Sequence, residues 1–156
     1  MARPLKFREG TFLRIPLTDG TYGYGRAVRD PYTAFYRFRT AEPCEDLDLI
    51  EAQPVMFTTC VRVFRDSGWV KLGRRPLQGE VAEPVLRFHQ DVADFRKCII
   101  YNNAGMRRAC APEECVGVEC ASVWEDDGIK ERLLDELLGR PNEEEIRGRV
   151  RFNDDW

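Results

Sequence analysis

The side chains with the greatest chemical capacity in this sequence are one histidine, six cysteines and 27 carboxylates. A hydrolytic nucleophile needs a base within reach, most often a histidine. The single histidine, His89, stands in the run Phe88-His89-Gln90-Asp91 with no nucleophile motif beside it. One histidine also excludes a His-rich binuclear metal centre. The cysteines fall at 44, 60, 98, 110, 115 and 120, and none forms a CxxC pair. Cys110, Cys115 and Cys120 have four residues between neighbours, wider than a zinc knuckle. They read as reduced thiols acting as small hydrophobes, and neither a metal nor a cofactor is expected. Tyr22-Gly23-Tyr24-Gly25 fits neither a P-loop nor a dinucleotide fingerprint. Glu113 with Glu114, and the run Glu125-Asp126-Asp127, are adjacent acids, whereas calcium or glycosidase chemistry needs convergent ones. No catalytic residue is expected, and the chain reads as a protein that is not an enzyme.

Binding chemistry is the remaining class. Phe35-Tyr36-Arg37-Phe38-Arg39 with Arg26 and Arg29 has the basic and aromatic character of a single-strand nucleic-acid reader. The chain is acidic overall, with a net charge of −3 and a pI near 5.4, and its aromatics alternate as core residues do. Nucleic acid is therefore not the expected partner. The charge is strongly segregated: residues 1–40, 41–60, 61–111 and 112–156 carry net charges of +5, −5, +5 and −8. Blocks of one sign steer encounters with oppositely charged partners, and they also simply solvate exposed faces.

These groups have to be positioned by a domain of ordinary composition. At 156 residues, 43% hydrophobic and 33% charged, the chain suffices for one core without disulfide staples. The N-terminal run Met1-Ala2-Arg3-Pro4-Leu5-Lys6 has no apolar stretch of a secretory signal, so a cytoplasmic location is expected, with no membrane span.

Thr11–Val28 reads as a hairpin around Asp19-Gly20, a dipeptide suited to a two-residue type I′ turn. A two-residue loop predicts Leu17 opposite Tyr22, Ile15 opposite Tyr24 and Leu13 opposite Arg26 on a core face. Pro16/Gly23 and Arg14/Gly25 then lie on the other face. Residues 33–40 alternate as a further strand, and 41–54 read as a connection with at most a turn or two of helix. Residues 55–65 form a long strand, Asp66-Ser67-Gly68 a turn, and 69–73 a short strand. The stretch 78–97 fits neither period and is left irregular. Residues 98–101 and 106–110 predict a second hairpin, Pro112 opens a helical turn, and 116–124 read as one strand. An amphipathic helix is expected at 127–138, capped by Asp126 or Asp127 and ended by Gly139 and Pro141. It places Ile129, Leu133, Leu134, Leu137 and Leu138 inward and Glu131, Arg132, Asp135 and Glu136 outward. Trp69 and Tyr24 are expected to be buried. The predicted fold class is α+β, a bent antiparallel sheet or partly closed barrel with one C-terminal amphipathic helix packed on it. The domain spans 1–141, followed by a charged tail, 142–156, whose Val150, Phe152 and Trp156 are apolar enough to fold back.

Three motifs together resemble the immunity protein 26 family of bacterial polymorphic toxin systems. They are Ile15-Pro16-Leu17 with Asp19-Gly20 and Tyr22 to Arg26, then Trp69 to Gly73 with Pro76-Leu77. Last comes Glu114 to Glu119 with Trp124 and Glu131-Arg132-Leu133. The resemblance spans roughly 9–139. It implies a small cytoplasmic α+β protein that binds a cognate toxin domain and neutralises it stoichiometrically. Some relatives are labelled phosphotriesterase-like, so a hydrolase is the alternative reading, and a nucleic-acid-binding module is a third. A toxin acting on phosphate, such as a basic nuclease, would be met by the acidic C-terminal third. That implies Glu125, Asp126, Asp127, Glu131 and Asp135 as the toxin-binding residues.

Overall fold

The computed structural model describes residues 3–153. Ten strands and three helices follow in the order β1 (Thr11–Pro16), β2 (Tyr22–Ala27), β3 (Tyr32–Thr40), α1 (Leu47–Glu51), β4 (Val55–Arg62), β5 (Val70–Arg74), β6 (Leu86–Gln90), β7 (Cys98–Asn102), β8 (Arg107–Cys110), β9 (Glu119–Cys120), β10 (Val123–Glu125), α2 (Asp126–Leu137) and α3 (Glu143–Arg147). They build two open sheets, one of six strands in the order β10-β4-β3-β2-β1-β5 and one of four in the order β8-β7-β6-β9.

This corrects the expected fold class. The strands do not form one bent antiparallel sheet or partly closed barrel, and three helices are present where one was expected. Two pairings, β10 with β4 and β6 with β9, are parallel. The reason lies in two segments. Residues 86–90, left irregular from sequence, form β6 at the centre of the small sheet, where Arg87 and Phe88 are both buried, so no clean alternation marks the strand. Residues 116–124, expected as one strand, are divided: β9 pairs in the small sheet, the chain turns at Ala121-Ser122, and β10 pairs in the large one.

The first hairpin exists, with a different register. Thr18, Asp19 and Gly20 form a three-residue loop in which the Gly20 amide donates to the Leu17 carbonyl and the Leu17 amide to the Thr21 carbonyl. Gly20 sits at φ +85°, as a type I turn closed by a left-handed glycine requires. The additional loop residue shifts every pairing by one, so Leu13 faces Gly25, Ile15 faces Gly23 and Arg14 faces Tyr24. The glycines therefore stand on the same face as Leu13, Ile15 and Leu17. A Cβ on Gly23 would lie 3.5 Å from Leu17 and 3.8 Å from Leu133 of α2, so the missing side chain lets the helix approach the sheet.

Both faces of the large sheet are covered. Leu13, Ile15, Leu17, Phe35 and Trp69 pack against Trp124, Ile129, Leu133 and Leu134 beneath α2. On the opposite face Phe12, Tyr24 and Tyr36 surround Ile50 of α1. Trp69 and Tyr24 are buried, as expected from their alternation. The second hairpin, the single 3₁₀ turn Pro112–Cys115, and a helix at Asp126–Leu137 ended by left-handed Gly139 all follow the sequence reading. In the C-terminal segment α3 is capped by the Asn142 side chain, which accepts from the Glu145 amide. Val150 packs against the core of the small sheet and Phe152 stays half exposed. Trp156 lies outside the described residues.

Candidate functional site

Helix α2 is where charge, rigidity and exposure meet. It begins directly from β10, and its first turn is tied down by side chains. The Trp69 indole N–H donates to Asp126 Oδ1 at 2.7 Å, and Asp126 Oδ2 pairs with Lys130 at 2.9 Å. Lys130 Nζ donates in turn to the Ser67 carbonyl. Helix N-cap geometry falls to Glu125, whose side chain makes no cap bond, rather than to Asp126 or Asp127.

The middle of α2 is held by Arg132, which the amphipathic pattern of the helix predicts to face outward. Its side chain is buried: both terminal nitrogens donate to the carboxylate of Glu119 on β9, at 2.7 and 3.0 Å. The guanidinium carbon stands 3.7 Å from the ring centre of Phe57 and 4.9 Å from that of Trp124. A planar, weakly hydrated cation suits such a slot far better than an ammonium would. At the C-terminal end, Asp135 accepts from Arg140 Nε at 3.1 Å and from Asn142 Nδ2 at 2.9 Å, closing the turn into α3.

The five acids expected to contact a toxin thus divide. Asp126 and Asp135 are largely buried and committed to internal bonds. Glu125 is exposed and pairs with Arg62 of β4 at 3.1 Å. Asp127 and Glu131 are exposed and directed to solvent. Glu136, on the other flank of the helix, is half exposed and 3.3 Å from Arg37. From Glu125 to Glu145 the sequence holds nine acidic and three basic residues. A groove of about 530 Å³ lies on the other flank of α2 from Asp127 and Glu131, lined by Met56, Phe57, Val118 and Phe152 with Arg132 and Glu136.

A second polar cluster occupies the opposite face of the large sheet. Arg26 is buried, with its guanidinium 4.3 Å from the centre of the Phe12 ring. It donates to the carbonyls of Arg75 and Pro76 at 3.0 Å each and to Glu51 at 3.2 Å, so it ties β2 to α1 and to the segment after β5. Burial pushes the pKa of the neighbouring Tyr36 hydroxyl upward, against the opposing pull of Arg26. The hairpin pattern predicts Arg26 on the core face opposite Leu13; it is buried, but the shifted register pairs it with Phe12 on the other face of the sheet. His89 is exposed on β6. Among the described residues no group of three or more His, Cys, Asp or Glu is disposed to hold a metal ion, and no helix is long and apolar enough to cross a membrane.

Comparison with protein families matches residues 8–99 to the model described as immunity protein 26. This chain belongs to the immunity protein 26 family. The matched residues run from the lead-in to β1 through the start of β7, and so include the first hairpin and the Trp69 to Gly73 motif. The third motif, from Glu114 to Leu133, lies beyond them. Its members Glu119, Trp124 and Arg132 nonetheless meet in space, in the slot that fixes α2 on the large sheet. No curated protein and no solved structure gives a match to the chain.

Proposed function

We propose that this immunity protein 26 family member acts in the cytoplasm by binding a cognate polymorphic toxin domain, one molecule to one, and that the exposed face of α2 makes the contact. Membership of the family carries the reading. The acidic face supports it: Asp127 and Glu131 project from a helix immobilised by Asp126, Arg132 and Asp135. An acidic face held in place costs little ordering entropy on association and speeds encounters with a basic partner, a nuclease toxin being the obvious class. Apolar anchors at the centre of the contact would then supply most of the affinity.

The test is direct. The toxin domain encoded beside this protein, mixed with it in calorimetry, is expected to bind with unit stoichiometry and to lose its activity. Charge reversal by Asp127→Lys with Glu131→Lys is expected to slow association at least about tenfold at low salt and far less at high salt. Absence of a complex overturns the function; an unchanged association rate moves the contact elsewhere on the molecule.

A further inference from the structure

The small sheet and its core hold four thiols, Cys98, Cys110, Cys115 and Cys120, that neither the fold nor the binding reading requires to be cysteine. Cys98 and Cys110 are directly paired across β7 and β8, and Cys115 ends the 3₁₀ turn that follows β8. The Sγ atoms of Cys110 and Cys115 are 3.5 Å apart, roughly 1.5 Å longer than a disulfide bond. The Cys98 thiol bonds the Phe95 carbonyl at 3.6 Å and also lies against Cys115, so it is the competing partner that the experiment below has to separate. Cys110 is only half-buried and lines a cavity of about 370 Å³ with His89, Arg96 and Lys97, while Cys115 is buried behind it. A small neutral oxidant therefore has a route to Cys110, with the second thiol in contact behind.

We propose that Cys110 and Cys115 are a reversible modification site, converted by a peroxide into an intramolecular disulfide that staples β8 to the 3₁₀ turn. Cys110 Sγ attacks one oxygen of hydrogen peroxide; the O–O bond breaks, an S–O bond forms, and the departing hydroxide leaves as water with the thiol proton. Cys115 Sγ then attacks the sulfenic sulfur, forming the S–S bond and releasing the second water with its own proton. Two thiols give up two electrons and the peroxide takes them. Burial, reinforced by the thiol contact with Cys110, holds the pKa of Cys115 up at about 12, so the first attack falls to Cys110.

The experiment maps the pairing in the whole protein. After hydrogen peroxide and N-ethylmaleimide, combined digestion with trypsin, which cuts at Lys97, Arg107 and Arg108, and with a glutamyl protease, which cuts at Glu113, Glu114 and Glu119, releases Cys98, Cys110, Cys115 and Cys120 on separate peptides. The expected result is a parallel loss of maleimide label at Cys110 and Cys115, and a cross-link between their peptides that dithiothreitol dissolves. Cys98→Ser is expected to keep that cross-link. Cys115→Ser is expected to stop at the sulfenic acid, trapped on Cys110 by dimedone. Full labelling of both thiols after peroxide, a Cys98–Cys110 linkage, or dimedone on Cys115 with none on Cys110 overturns the proposal.

Discussion

Arg132 of α2 and Glu119 of β9 are joined by two hydrogen bonds of 2.7 and 3.0 Å, and this pair is the polar link between the helix on the large sheet and the small sheet. The pair is nearly closed to solvent, and Phe57 and Trp124 flank the cation. Arg132→Ala is expected to cost about 3 kcal/mol in urea unfolding, because Glu119 is left uncompensated. Arg132→Lys recovers little of this, since an ammonium neither forks onto the carboxylate nor stacks between the rings.

The acids of α2 separate by mutation in the same way as they do in space. Asp126→Ala removes the acceptor for the Trp69 indole and the partner of Lys130, and Asp135→Ala opens the turn to α3. Each is expected to lose about 1–2 kcal/mol of stability. Asp127→Ala and Glu131→Ala are expected to stay within about 0.5 kcal/mol of the parent by the same denaturation measurement.

The hairpin loop gives a pH signature. Bonds from the Thr21 hydroxyl and amide, with Arg39 beside it, hold Asp19 down to about 2. A carboxylate depressed on folding stabilises the native state above its unfolded pKa near 4, and that contribution fades as pH falls towards 2. The site is shallow, so the contribution is about 0.5–1 kcal/mol. The stability difference between the parent and Asp19→Asn is expected to be present at pH 6 and to vanish near pH 2.

Gly25 is a steric prediction. A Cβ there would stand 3.0 Å from the Ala34 carbonyl and 3.2 Å from the Phe35 ring, at the register shift between β2 and β3. Gly25→Ala is expected to destabilise by about 1–3 kcal/mol, measured by thermal unfolding, through displacement of β3.

Much of the local structure was readable in advance. Apolar residues at 129, 133, 134 and 137 recur with the helical period, and Gly139 and Pro141 stop it, so α2 followed from sequence almost to the residue. The same holds for the extent of β3 and for the second hairpin. In the first hairpin the turn residues were evident but the loop was three residues long, and that single residue moved Gly23 and Gly25 to the face beneath α2. Asp19-Gly20 is compatible with both turns, and the register follows only from which face the helix buries.

Periodicity, capping and turn chemistry act over a few residues, and they determined where strands and helices begin and end. Partner choice acts across the whole chain: β10 finds β4 sixty residues earlier, β9 finds β6, and Arg132 turns inward because Glu119, Phe57 and Trp124 converge on it from three other strands. A charged side chain in a helix carries no local mark of such company. Whether Asp126 and Asp135 brace the molecule while Asp127 and Glu131 face outward was settled by packing, since all four have the same chemistry and differ only in what the fold brings beside them.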